Sequence, residues 1–127
     1  MSFRLIQNIT RTGILAVVVL LVLPLAAQID PALATGENTS EVIEFLIGRI
    51  ENSHLIFIRN GEKHSSEEAA KHIRRKYRHF KSQIETPEDF IRLCASKSLV
   101  SGKPYLVVTH QGTVTLESWL GRILRNP

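Results

Sequence analysis

Along 41–52 the residues Val42, Ile43, Phe45, Leu46, Ile47 and Ile50 return at three- and four-residue spacing. That period predicts a helix with a wide buried face. Asn38 or Ser40 can cap it, and Asn38 has Glu41 three residues on, a capping-box spacing. Asn52 and Ser53 end it. The pattern then tightens over 54–59, which is short, apolar and rich in β-branched and aromatic residues, and so predicts a strand. Asn60-Gly61 favours the positive φ angles of a two-residue hairpin turn, and Glu62, Lys63 and His64 form a polar return strand suited to a sheet edge.

A helical period resumes after Ser65 or Ser66. Ser65 with Glu68 makes a second capping box, and Glu67 and Glu68 suit the positive end of the helix dipole. Ala69, Ala70, Ile73, Tyr77, Phe80 and Ile84 make the buried stripe; Lys71, His72, Arg74, Arg75, Lys76, Arg78, His79 and Lys81 make the opposite face. Thr86 caps a third helix with Pro87 at its first position, and Phe90, Ile91, Leu93 and Cys94 supply its apolar side. The stretch 96–105 ends that helix, Gly102 serving a left-handed turn and Pro104 forbidding further helix. Residues 105–110 are the strongest strand of the chain, turned by Gln111-Gly112. Thr113, Val114 and Thr115 either extend a strand or lead to a cap. Leu116, Trp119, Leu120, Ile123 and Leu124 stripe a closing helix. No internal repeat and no low-complexity segment stands out. The order α-β-β-α-α-β-α predicts a small single α+β domain, a short antiparallel sheet packed against helices.

The first third departs from this pattern. Residues 13–27 carry no charge, Arg4 and Arg11 precede them, and Ala32-Leu33-Ala34 follows. Basic start, apolar middle and Ala-x-Ala exit predict a signal peptide over 1–34, cut after Ala34, then a mobile lead-in over 35–40 and the domain over 41–127. An uncleaved membrane anchor is the alternative, but a spanning helix needs about 20 apolar residues, and this run is shorter and holds Pro24. No cysteine follows the run to take a lipid. The predicted address is the periplasm or cell envelope, with membrane contact only through that segment if it is retained.

Composition narrows the function. The 127-residue chain has 16 Lys and Arg against 12 Asp and Glu, a net charge of +4. Without 1–34 the counts are 14 and 11, or +3. That is too mild for a dedicated nucleic-acid binder. Cys94 is alone, so no internal disulfide is possible and packing must hold the fold. It falls beside Phe90 and Leu93 and reads as a buried core thiol, the alternative in an exported chain being an intermolecular bridge or a reactive thiol. The basic run 71–81, with six Lys or Arg and two His, reads either as a solvated helix face or as a surface for an anionic partner. No aromatic residue interleaves on it. His54, His64, His72, His79 and His110 form no metal-ligand spacing, so neither metal nor cofactor is expected. Ser96, Ser98 and Ser101 sit beside Lys97 and Lys103, but no Ser-x-x-Lys or Gly-x-Ser-x-Gly pattern is present. Those hydroxyls and lysines read either as helix termination or as a recognition loop for a ligand, and no catalytic residue is assigned.

Several segments together carry a family resemblance: 57–61 (Phe-Ile-Arg-Asn-Gly), Ala69-Ala70 with His72 and Lys76, Thr86 with 88–91, 95–98, 101–105 (Ser-Gly-Lys-Pro-Tyr) and Trp119-Leu120. The chain resembles the YfeK-like family of small exported bacterial envelope proteins, which carry a domain of unknown function. The resemblance spans about Glu41 to Leu124; His64 departs from it, standing where the family's return strand would have a tyrosine. It implies an envelope location and supplies no catalytic residues. The expected function is a non-enzymatic binding module whose surface combines Arg59, Asn60, His72, Lys76, Ser98, Ser101, Lys103 and Tyr105. Its partner would be an envelope protein, an anionic polymer or a small ligand. A small hydrolase or transferase using Ser98 or Ser101, with Lys97, Lys103 or a histidine as base, is the second reading. A purely structural envelope protein is the third.

Overall fold

A computed structural model describes residues 31–127, with side-chain environments from Gly36 onward. The signal peptide expected over 1–34 lies outside the described residues, apart from the opening of the first helix. That helix, α1, runs Pro31–Glu51. It therefore starts ahead of the expected 41, and the lead-in 35–40, expected to be mobile, forms helical turns. Asn38 and Ser40 lie inside the helix and do not cap it. The Thr39 hydroxyl donates to the Glu85 carbonyl at 3.2 Å, which fastens this end to the middle of the chain. Ile43, Leu46, Ile47 and Ile50 are fully buried, each adding roughly 2 kcal/mol of burial. Phe45, expected on the buried face, is 43 % exposed because the helix offers its neighbours a narrower stripe. Among the described residues no helix is long and apolar enough to cross a membrane.

Strand β1 (Ile56–Arg59) and strand β2 (Glu62–His64) form the predicted hairpin, with Asn60 at φ 54° and Gly61 at φ 80°. Helix α2 (Ser66–Phe80) begins with the predicted capping box: the Glu68 N–H donates to the Ser65 hydroxyl and the Ser65 N–H to the Glu68 carboxylate. Arg74 reaches from α2 to Glu51 of α1 at 3.2 Å. Helix α3 (Pro87–Phe90) starts on the Thr86–Asp89 capping box and widens into a π turn over Ile91–Ala95, which buries Ile91, Cys94 and Ala95 side by side. Strand β3 (Leu106–Thr109) is followed by a fourth strand, β4 (Gly112–Thr115), and by helix α4 (Leu116–Arg125). Both readings of 113–115 hold together, since Thr115 ends the strand and caps the helix by accepting from the Ser118 N–H. The turn before β4 is His110-Gln111, with Gly112 (φ 118°) opening the strand.

The four strands make one antiparallel sheet in the order β2-β1-β3-β4. Phe57 and Val107, buried at its centre, face the helices. The sequence shows no repeat, yet the fold contains one. Segments 57–70 and 107–120 have the same strand–turn–strand–helix course and the same succession of buried, half-buried and exposed positions. Counterparts lie 50 residues apart: 57 and 107, 65 and 115, 70 and 120. Ser65 and Thr115 each cap a helix through the residue three places on. The central pairing sets Phe57 opposite Val107, Ile56 opposite Val108 and Ile58 opposite Leu106, so exchanging the halves reproduces the register. A pseudo-twofold axis passes between Phe57 and Val107. Only Glu67 and Glu117 are identical between the two segments, which is why the repeat is invisible as sequence.

Candidate functional site: a cationic cleft in the first half

The hairpin β1–β2 and helix α2 enclose a cleft of about 300 Å³, the lower end of the size range of small-molecule sites. Phe57, Ile58, Ala69, Ile73 and Leu116 give it apolar walls. Its polar groups are Arg59, His64, Glu68, Lys71, His72, Arg75 and Tyr105. Arg59 comes from the end of β1; Lys71, His72 and Arg75 project from consecutive turns of α2, spaced so that they share one side of it. Three cations thus meet one carboxylate, and none of the three makes an ion pair among the described residues. Glu68 lies instead 3.7 Å from His64.

Tyr105 forms the inner wall. His72 Nε2 lies 3.0 Å from its hydroxyl, with the two rings edge-to-face at 5.7 Å. Lys76 approaches from behind. Its Nζ donates to the Lys97 carbonyl at 2.9 Å and to the Tyr105 hydroxyl at 3.3 Å, and stands 4.9 Å from the ring centre. Lys76 is only 7 % exposed, so its placement on the solvated face of the helix is corrected. The period itself points inward, because Ile73, Lys76, Tyr77 and Phe80 follow the i, i+3, i+4, i+7 rule of a buried stripe. Charge overrode spacing in the expectation. Burial lowers the Lys76 pKa from its ordinary value, with the nearby Cys94 acting in the opposite sense. Burial, followed by the positive charges of Arg59, Lys76 and Arg75, brings His72 down to about 4. Burial also raises Tyr105, so its phenol keeps its proton at neutral pH.

The eight residues singled out by sequence divide. Arg59, His72 and Tyr105 line the cleft, and Lys76 supports Tyr105. Asn60 and Ser101 are joined to each other at the tip of the first hairpin, where the Ser101 hydroxyl donates to the Asn60 side-chain oxygen at 2.5 Å. Ser98 is buried inside the loop 96–105 and accepts from the backbone N–H groups of Val100 and Ser101. Lys103 is exposed, and its carbonyl accepts from the Ser98 N–H at 2.9 Å. The loop is thus more than the expected helix stop. It is a closed hairpin, bridged at Lys97 and Pro104 and turned at Gly102 (φ 69°). Neither Ser98 nor Ser101 has a lysine or histidine side chain as its hydroxyl's hydrogen-bond partner. Cys94 is fully buried, and burial raises its thiol to about 11, which keeps it protonated and unreactive. Sequence reasoning missed His64, Glu68 and the apolar walls as site residues. It also left Lys71 and Arg75 undistinguished within the basic face.

The two halves of the repeat differ at a position that lines the cleft. Position 69 in the first half is alanine, and its counterpart in the second is Trp119. Trp119 packs against the core and meets Phe57 edge-to-face at 6.2 Å. A methyl group that lines the cleft stands where the other half has an indole.

A family model described as a family of unknown function, DUF5329, matches residues 37–126. The chain is 35 % identical over 89 residues to the uncharacterized protein YfeK of Salmonella typhimurium, an alignment that covers 70 % of each chain. No solved structure matches.

Proposed function

We propose that the chain, which belongs to the DUF5329 family of unknown function, is a binding module of the cell envelope whose ligand site is the cleft between the first hairpin and α2. The observation that carries this reading is the surplus of cations there: Arg59, Lys71 and Arg75 border a cavity with Glu68 as its one carboxylate. Like charges converge at a cost, and an anionic ligand relieves it. The contrast between Ala69 and Trp119 supports the same reading, since one half of a duplicated unit fills this position and the other leaves it empty. The engaged hydroxyls of Ser98 and Ser101 and the protonated Cys94 favour binding over acyl transfer. Export, inferred from the leader, puts the module where envelope solutes or polymers reach it.

The test uses 8-anilinonaphthalene-1-sulfonate, an anionic aromatic probe, titrated against the purified domain by fluorescence. Ala69→Trp copies the second half and fills the cleft. Saturable binding that weakens at least tenfold in Ala69→Trp, with the thermal midpoint retained, supports the site. Equal binding by the two proteins removes it.

A further inference from the structure

The hydrogen bonds around Tyr105 specify what kind of ligand atom the cleft receives, an inference that rests on the cleft being the binding site. Arginine donates and never accepts. Arg75 Nη2 lies 3.4 Å from His72 Nδ1, so in the neutral ring Nδ1 is the bare nitrogen and Nε2 carries the hydrogen. Burial and the surrounding cations keep the ring neutral. Nε2–H therefore donates to the Tyr105 oxygen. Lys76, which can only donate, supplies a second hydrogen to the same oxygen. With both acceptor positions of the phenol engaged, its own O–H remains, and no acceptor within the described residues takes it.

We infer that the Tyr105 O–H is the donor that fixes a ligand oxyanion in the cleft, the ligand being an amphiphilic acid whose apolar body lies on Phe57 and Leu116. Arg59, at the end of the neighbouring strand, supplies the balancing charge. Arg59, Lys71, Arg75 and the Tyr105 O–H outnumber Glu68, the one carboxylate of the cleft, so the balance of charge and donors favours an acid over an ammonium head. Two donations into the phenol oxygen polarise its O–H bond and strengthen the bond it gives. A carboxylate and a phosphoryl group share this chemistry.

Three probes with one phenyl body separate the possibilities: phenylacetate, phenylphosphonate and phenethylamine, each titrated against wild type, Tyr105→Phe and Ala69→Trp by calorimetry. Phenylacetate or phenylphosphonate should bind and phenethylamine should not, the tighter of the two acids naming the head group. Tyr105→Phe, which keeps the ring, should weaken the acids about tenfold, the size of one charge-assisted hydrogen bond. Binding of the acids that Ala69→Trp abolishes but Tyr105→Phe leaves unchanged would refute the donor role and keep the cleft. Binding untouched by Ala69→Trp would refute the cleft itself. A structural readout stands apart from affinity: the ring ¹⁵N spectrum of His72 should show the Nε2–H tautomer. The Nδ1–H tautomer would make Nε2 an acceptor for the phenol hydrogen and overturn the inference.

Discussion

Lys76 holds its ammonium 3.3 Å from the Tyr105 hydroxyl and 4.9 Å from the centre of the same ring, with no carboxylate among the described residues paired to it. The Lys97 carbonyl is its other partner. A buried cation satisfied by neutral oxygens gains less than it loses on leaving water, and apolar residues of similar volume often replace such groups without loss. Lys76→Met is therefore expected to change unfolding free energy by no more than about 1 kcal/mol. Lys76→Glu sets a negative charge against two oxygens and should cost at least about 3 kcal/mol. Urea unfolding of the two variants checks the pair. A large loss in the methionine variant would mean that the ammonium itself holds the fold.

His72 gives the domain an acid sensitivity with a defined window. Its folded pKa of about 4 lies below the ordinary 6.5, so between these values the unfolded chain binds a proton that the folded one does not. Stability therefore rises with pH across that window and is lost as pH falls from 6.5 toward 4. Below 4 the penalty is complete. The groups that set it are burial and then Arg59, Lys76, Arg75 and His64. A shift of this size corresponds to about 3 kcal/mol at most, and the partly wet ring reduces it to roughly half. His72→Gln should flatten the thermal midpoint across the window. Asp89 and Glu67, whose pKa values lie below the ordinary 3.8 and 4.5, lose their contributions at lower pH and leave the window to His72.

The loop 96–105 should show an order of sensitivity opposite to that of its exposed residues. Ser98 is buried and accepts two backbone N–H groups, so Ser98→Ala is expected to cost about 1–2 kcal/mol. Ser101 and Lys103 are exposed, and the double variant Ser101→Ala with Lys103→Ala should stay within about 0.5 kcal/mol of wild type. Thermal unfolding of the two proteins measures the difference. Equal losses would show that the hydroxyl joined to Asn60 matters as much as the one inside the turn.

The elements were legible where local chemistry dictates them. Asn60-Gly61, the Ser65–Glu68 and Thr86–Asp89 boxes and Pro87 each act over a few residues and fold as their types require. Two features were not legible, for different reasons. Lys76 follows the period of the core but carries a charge, and type outweighed position. Ala69, which lines the cleft, has no chemistry of its own, and its contrast with Trp119 fifty positions on appears only once the repeat is seen. The loop 96–105 is dense in hydroxyls and lysines, yet its contribution to the cleft is Tyr105.

The register of β1 against β3 has one more consequence. Phe57 faces its own counterpart, as a residue on the axis of a symmetric dimer faces its copy. In such a dimer every substitution would be made twice, and a pocket opened on one side would be opened on the other. A single chain that carries both halves escapes this rule. One half can keep an indole packed against Phe57 while the other carries alanine at the matching position and lines the cleft, so that the two halves are free to take different roles.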